Sequence, residues 1–429
     1  MSFKNRRSCF RAVSVIVGLT LMITLTSMVS REGWQTTIGN ARSFAAPLQD
    51  VGASIEIDAT HRLGQVNKLL FGNYIMGVAR ADGILDPDHQ FNPEALQLIQ
   101  ELQPSILRFG SQPIFEDGIG DPQSRPPARC GWEDPCTDEW QYWRTYEYGV
   151  DEHMTLLEAI GAEGQALITV GYPYTLEDST DPNSCITSTV NSNLSQMVKR
   201  AMAWVAYVNG DTADTTLIGV DDHGFDWQTV GYWAQQRVDN GHPEPYGIKY
   251  WEIGSEAYWR ISPEKYGQDY IVFQDAMKQV DPSIIVGASA RIEPYDYSRW
   301  NIPLLSVIGP TVDAMVLHLY YPREIYDPIV QPAVMAAATQ ADDDLAQIRQ
   351  LLATTTDRAD EISLILGEMG IDYVSCCEPA MPISWNMLLV GVYDADLMGM
   401  LVESSADYRL ELGIQYWLHG SSVSCDIPL

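Results

Sequence analysis

Eight short β-rich runs, separated by longer stretches with helical start signals, constrain this chain more than any other feature. They are Leu69–Val78, Ser105–Gly110, Gly164–Pro173, Ile248–Glu256, Ile284–Ala290, Ala314–Tyr321, Ile362–Gly370 and Gly413–Gly420. Strand-like runs alternating with helical segments predict parallel βα units. Asn92-Pro93-Glu94 supplies an N-cap, a proline in the first turn and an acid near the helix start. Ala95, Leu96, Leu98, Ile99 and Leu102 then form the apolar face. Ser262-Pro263-Glu264 repeats the device ahead of Tyr266, Tyr270, Phe273 and Met277. Asp151-Glu152 opens a helix over Met154–Ile160 that Gly161 closes; Leu194–Val208 and Ala333–Leu352 supply two more.

This count and order predict an α/β fold of the (β/α)8, or TIM-barrel, type. The alternative, an open doubly wound sheet, carries a glycine-rich phosphate loop after its first strand, and Phe71-Gly72-Asn73-Tyr74 is not one. Ser54–Asp58 alternates apolar and polar residues and predicts a short accessory strand ahead of the barrel. The sequence ends soon after Gly420, so either the protein continues beyond it or the barrel is expected to close at its eighth strand without a covering helix.

In such barrels the chemistry gathers where strands end. The fourth run reads Lys249-Tyr250-Trp251-Glu252-Ile253-Gly254-Ser255-Glu256, and the seventh Leu364-Ile365-Leu366-Gly367-Glu368-Met369-Gly370. Strands four and seven face each other across the barrel mouth, so the Glu256 and Glu368 carboxyls are expected about 5–5.5 Å apart. At that spacing one carboxylate attacks a sugar while the other protonates the leaving oxygen. Repulsion between them is expected to raise the acid's pKa. Glu252 shares the parity of Glu256 and points into the barrel, where a buried carboxylate needs a partner; Arg108 is the candidate. His318 and Tyr320, alternate residues at the end of the sixth run, face inward as well, either at the site or as a hydrogen-bonded pair of the barrel core.

With these residues in place the chain resembles a clan A glycoside hydrolase, most closely family 51, the α-L-arabinofuranosidase family. The resemblance runs from about Ile55 to Leu418 and rests on several motifs. Asp117-Gly118-Ile119-Gly120 and Trp251-Glu252-Ile253-Gly254-Ser255-Glu256 are the most informative. Leu107-Arg108-Phe109, Arg125-Pro126, Tyr148-Gly149-Val150-Asp151-Glu152 and Ala203-Trp204-Val205-Ala206-Tyr207-Val208-Asn209 accompany them. The resemblance implies Glu256 as acid/base and Glu368 as nucleophile. It also places His318 near the nucleophile and Tyr320 beside Glu368, tuning its ionisation.

Departures from the family bear on the sugar. Ser255 stands where the family carries an asparagine that holds the 2-hydroxyl. Met76 stands where a glutamate contacts the ring, Gly110-Ser111-Gln112 replaces Pro-Gly-Gly, and Met369-Gly370 replaces Trp-Asn. The family's C-terminal β-sandwich has no counterpart in the sequence. Trp417 and His419 are expected near the floor of the sugar site, and Trp132, Trp140, Tyr142, Trp143, Tyr146 and Tyr148 cluster in the second βα loop, as sugar-stacking faces or as loop core. The expected activity is therefore retaining glycoside hydrolysis of an arabinofuranosidase-like kind. The alternative is a non-catalytic carbohydrate-binding or cell-surface protein on a degenerate hydrolase barrel.

The remaining features concern location and partners. Lys4, Arg6, Arg7 and Arg11 precede an uncharged run from Ala12 to Val29, the pattern of an export signal, cleaved or kept as an anchor. Residues 1–30 are thus read as signal, 31–52 as linker and 53–429 as the barrel domain, secreted or held at the cell surface. A net charge of -31 repels nucleic acid and anionic membranes; it serves solubility outside the cell first, and among partners it favours a neutral one, here a carbohydrate substrate. Beyond Cys9 in the leader, Cys130, Cys136, Cys185, Cys376, Cys377 and Cys425 make an even set suited to disulfides, Cys130–Cys136 being nearest in sequence. Their spacing lacks a zinc pattern, and neither a metal nor a cofactor is expected. Asn193-Leu194-Ser195 is a glycosylation sequon.

Overall fold

The computed structural model describes Thr60 and residues 64–76, 83–110, 115–125, 129–131, 142–144, 147–162, 164–172, 193–259, 261–321, 336–370 and 383–416. The expected leader, linker and accessory strand lie outside these residues. So do Trp132, Trp140, Tyr146, Trp417, His419 and all the barrel cysteines but Cys130, which is described in its backbone alone.

Strands β1 (Gly72–Met76), β2 (Leu107–Gly110), β3 (Ala166–Val170), β4 (Tyr250–Ile253), β5 (Ile285–Ser289), β6 (Ala314–Tyr320), β7 (Ser363–Gly370) and β8 (Leu410–Gln415) form a closed barrel. All neighbours are parallel, and β8 returns to β1 through Gly72 opposite Ile414. Seven strands fall within the expected runs, shortened at their ends, whereas β8 starts at Leu410, three residues ahead of the expected Gly413. Helices α1 (Pro93–Leu102), α2 (Val150–Ala159), α3 (Leu194–Asn209), α4 (Val230–Asp239), α5 (Pro263–Val280), α6 (Asn301–Ile308), α7 (Ala337–Thr355) and α8 (Ile383–Ser404) lie between the strands. A short antiparallel ribbon pairs Arg129–Gly131 with Tyr142–Arg144 after β2.

Local chemistry explains the helix starts. The Asn92 side chain accepts from the Glu94 backbone N–H at 3.0 Å, and Ser262 Oγ accepts from Lys265 N–H at 3.3 Å. Asn193, the sequon residue, caps α3 by accepting from Gln196 N–H at 2.8 Å. Helix α2 begins one residue before the expected Asp151, at Val150, with Glu152 accepting from Gly149 N–H at 2.7 Å.

The Asp-Gly-Ile-Gly motif sits against that helix start. Asp151 is buried and accepts from Gly120 N–H at 2.6 Å and Tyr207 Oη at 2.5 Å. Arg125 forks onto Glu152 at 2.7 and 2.8 Å and donates to Gly120 O at 2.6 Å. Gly149 must be glycine, because a Cβ there would lie 1.9 Å from Gly118 O. The motif is a brace that fixes the loop after β2 onto α2.

Barrel interior residues form layers. Tyr74, Ile106, Leu167, Tyr250, Ala314, Val316, Ile365, Leu412 and Ile414 make the apolar part of the interior. Two residues further along their strands, Arg108, Thr169, Glu252 and His318 form a polar layer above it. The outer core between strands and helices holds Phe109, Phe115, Trp204 and Trp251, where Phe115 stacks on Trp204 at 5.3 Å. Burying a ring the size of Phe109 contributes roughly 3 kcal/mol of transfer free energy. The apolar shell thereby supports the charges it surrounds.

Candidate active site

Two local irregularities aim the two glutamates. On β7 strict alternation from the inward Ile365 would turn Glu368 outward. Between Leu317 and His318 of β6 the register with β7 shifts from Leu366 to Glu368, so Gly367 is an extra residue, and Glu368 turns inward. A Cβ on Gly367 would lie 2.6 Å from Val316 Cγ1 and 3.3 Å from His318 Nε2. On β4 the ladder stops at Ile253, short of the expected Glu256. Gly254 and Glu256 then both take left-handed backbone, with φ of +65° and +50°. A turn, rather than strand parity, brings the Glu256 carboxyl over the mouth.

Arg108 ties the site to the core. It is buried under the Tyr74 ring, with its guanidinium carbon 4.8 Å from the ring centroid. Its Nη2 donates to Glu252 Oε2 at 2.7 Å and to Ser255 Oγ at 3.2 Å, its Nε to Thr169 Oγ1 at 3.2 Å, and its Nη1 to Glu368 Oε1 at 2.5 Å. Burial disfavours the guanidinium, but Glu252 and Glu368 outweigh it and hold Arg108 charged. The expected Glu252 partner is in place, and the same arginine also clamps Glu368.

The second Glu368 oxygen accepts from Tyr320 Oη at 2.5 Å. His318 Nδ1 bridges the two glutamates, 2.9 Å from Glu256 Oε1 and 3.3 Å from Glu368 Oε2. A ring nitrogen facing two carboxylates must present a hydrogen, since a lone pair there would be repelled. One carboxylate oxygen from each glutamate and a ring nitrogen of His318 lie within 4.8 Å of one another. These three are the metal-ligand-type cluster found among the described residues, and their facing atoms already share His318's proton. The Glu256 side chain is 36% exposed against 12% for Glu368.

The expected rise in the acid's pKa is overturned. Burial pushes Glu256 up, but the hydrogen bond and charge of His318, with hydrogen bonds from Tyr258 and Trp259, pull it down to about 2. Burial pushes His318 down, and Glu368 and Glu256 raise it above its ordinary value. The imidazolium between the carboxylates relieves the repulsion that the sequence argument relied on. It also sits at least as close to Glu256 as to the nucleophile side assigned by resemblance. These influences favour the proton on His318 over Glu256 in the free site.

Several contributors were not singled out from sequence. Tyr258 Oη donates to Glu256 Oε1 at 2.9 Å and Trp259 Nε1 to Oε2 at 3.1 Å. The only signal was the aromatic doublet directly after Glu256. Tyr416, at the end of β8, packs on Tyr74 at 5.8 Å and Tyr320 at 5.7 Å, joining three strands into one aromatic wall. Met76 pairs with Gly110 at the end of β1, and its side chain is outside the described residues. Tyr148 is fully buried against Phe109 and His153, as loop core rather than a sugar-stacking face.

An eight-stranded parallel barrel with facing glutamates on strands four and seven defines a clan A glycoside hydrolase architecture. The chain belongs to the family of the α-L-arabinofuranosidase 1 domain, whose model matches residues 98–329, more than half of its length. It is 26% identical over 289 residues to an intracellular exo-α-(1→5)-L-arabinofuranosidase of Halalkalibacterium halodurans, covering 63% of this chain and 48% of that protein. Against α-L-arabinofuranosidase C of Emericella nidulans it is 25% identical over 321 residues, covering 68% and 54%. The chain therefore spans about half the length of the curated relatives it matches. Among solved structures, the Thermotoga petrophila GH51 α-L-arabinofuranosidase superposes with a TM-score of 0.61 at 22% identity, covering 82% of this chain and 65% of that one. The Thermotoga maritima α-L-arabinofuranosidase in complex with arabinose gives 0.60 at 21%. At these identities the structural likeness shows the fold.

Proposed function

We propose that this chain is a retaining glycosidase of arabinofuranosidase type, with Glu368 as nucleophile and Glu256 as acid/base. The observation that carries the reading is the close approach of two carboxylates in different settings. Glu368 is fixed at both oxygens by Arg108 and Tyr320, as an ionised nucleophile requires, while Glu256 is more exposed and shares a proton with His318. In the first step a Glu368 oxygen bonds to the anomeric carbon, and the bond to the leaving oxygen breaks. That oxygen takes the proton that Glu256 relays from His318 across their 2.9 Å contact, which leaves Glu256 ionised to act as base in the second step. In the second step Glu256 removes a proton from water, water displaces Glu368, and the nucleophile regains its charge.

The relatives' names put α-L-arabinofuranosides first among substrates. Ser255 works against full efficiency there, because its hydroxyl is shorter than the family's asparagine and is engaged by Arg108. One lost hydrogen bond to a buried sugar hydroxyl costs about 1–3 kcal/mol, roughly ten- to a hundredfold in rate. Export is part of the same proposal, supported by the basic head and uncharged run of residues 1–30.

The test is turnover of α-L-arabinofuranoside, β-D-xyloside, β-D-glucoside and β-D-glucuronide aryl substrates, followed by two variants. Glu368→Ala should abolish turnover of every substrate. Glu256→Ala should keep a first step with good leaving groups and yield glycosyl azide when azide is added. Absence of the azide product would overturn the acid/base assignment. A folded wild type that binds these sugars and cleaves none would turn the reading to a carbohydrate-binding protein, the direction in which Ser255 points.

A further inference from the structure

Trp259 is 66% exposed, yet it is held on one side by three contacts. Its indole N–H donates to Glu256 Oε2 at 3.1 Å, Tyr258 meets it edge-on at 5.4 Å, and the Arg291 guanidinium lies 4.6 Å from its ring centroid. Arg291 lies as close to the Tyr258 ring, at 4.4 Å. Its charge is met by Glu293 at 3.0 Å and Asp296 at 2.6 Å. Asp296 ends the short turn Pro294–Asp296 after β5, and that turn presents Tyr295, 67% exposed. Arg291 thus braces Trp259 directly and, through Asp296, the turn that carries Tyr295, beside the residue assigned to protonate the leaving oxygen.

We infer that Trp259 and Tyr295 form the receiving surface for the sugar on the leaving side of the bond, a neutral pyranose of a plant-type or microbial polysaccharide. The inference rests on the proposed role of Glu256. The leaving oxygen must reach the Glu256 carboxyl, so the ring bonded to that oxygen lies within one residue's width of the indole. A pyranose offers a flat C–H face that suits an indole, whose face carries negative π density. A uronic acid is disfavoured, since Glu293 and Asp296 already neutralise Arg291 and the chain carries a net charge of -31. The leaving-side surface also accepts the incoming sugar when the covalent intermediate is transferred rather than hydrolysed.

Two measurements test this. The first is the partition of the glycosyl-enzyme between water and xylobiose. Trp259→Ala is expected to lower transfer relative to hydrolysis by about tenfold, equivalent to roughly 1.4 kcal/mol, and Trp259→Phe, which keeps a ring but no N–H, to lower it less. Equal partition in Trp259→Ala and wild type would overturn the inference. The second is binding without turnover, with Glu368→Ala titrated with xylotetraose and with oligogalacturonate. Tryptophan fluorescence should respond to xylotetraose alone, and the response should vanish in Glu368→Ala/Trp259→Ala. If wild type cleaves nothing but this response appears, the catalytic reading falls and the sugar surface stands. No response to xylotetraose, or an equal response to the uronide, overturns the surface.

Discussion

Removing the Arg108 guanidinium should expose the dependence of this fold on its site. In Arg108→Met, Glu252 loses its 2.7 Å partner and keeps only the Thr169 hydroxyl at 2.8 Å, while its Oε1 already has no hydrogen-bond partner among the described residues. Both Arg108 and Glu252 are essentially without solvent exposure. Leaving one charge of a buried pair without the other costs about 3–5 kcal/mol. Adding Glu252→Gln removes the orphaned charge and should recover about 2 kcal/mol or more of that loss. Activity should behave differently. Glu368 loses the donor at Oε1 in both variants, and a hydrogen bond to a charged group is worth about 1.5–3 kcal/mol, or roughly ten- to a hundredfold in kcat/KM. Urea unfolding followed by tryptophan fluorescence, beside aryl-glycoside kinetics, separates the two effects. The reasoning fails if Arg108→Met lies within about 1 kcal/mol of wild type, or if the double variant is no more stable than the single one.

Three further outcomes are expected. His318→Gln removes the charge that draws Glu256 down to about 2, so the limb of the kcat/KM profile governed by Glu256 should move to higher pH; an unmoved limb would mean that His318 does not set that ionisation. The Glu256–His318 pair should stabilise the fold most between their ordinary values of 4.5 and 6.5. The depressed glutamate's share fades as pH falls from 4.5 toward about 2, and the raised histidine's share fades as pH climbs past 6.5 through its higher folded value. Wild type and Glu256→Gln/His318→Gln should accordingly differ most in unfolding midpoint inside that window, and a difference growing above it would contradict the sign. Gly367→Ala places a methyl 2.6 Å from Val316 Cγ1 and should swing Glu368 off its aim, costing about a hundredfold in kcat; near-normal turnover would show that the bulge tolerates a side chain.

The barrel was legible because runs such as Ile284–Ala290 and Ala314–Tyr321 are bounded by residues that break a ladder. The Arg108–Glu252 pair was legible for a different reason: two inward charges in one layer of the barrel have no stable alternative to each other. Helices without local signals escaped. Helix α6 starts behind Trp300 with no side-chain cap and carries Pro303, and α8 runs from Ile383 through an almost unbroken apolar stretch with no polar face to mark its period. The aim of the glutamates escaped as well, since it depends on a one-residue bulge at Gly367 and on left-handed backbone at Glu256, neither of which leaves a periodic trace. The direction of the Glu256 shift required His318 at 2.9 Å, a distance that spacing along the chain does not encode.

The backbone at Glu256 carries an evolutionary meaning. A residue with a side chain in left-handed conformation gives up roughly 1–2 kcal/mol that glycine does not. With φ at +50°, a glycine would sit there more easily than the glutamate does. Mutational drift under selection for folding alone would favour losing the carboxylate, and Glu256→Gly should yield a more stable barrel with no acid/base. A glutamate kept in that conformation is retained for what its carboxyl does, against the preference of the fold that carries it.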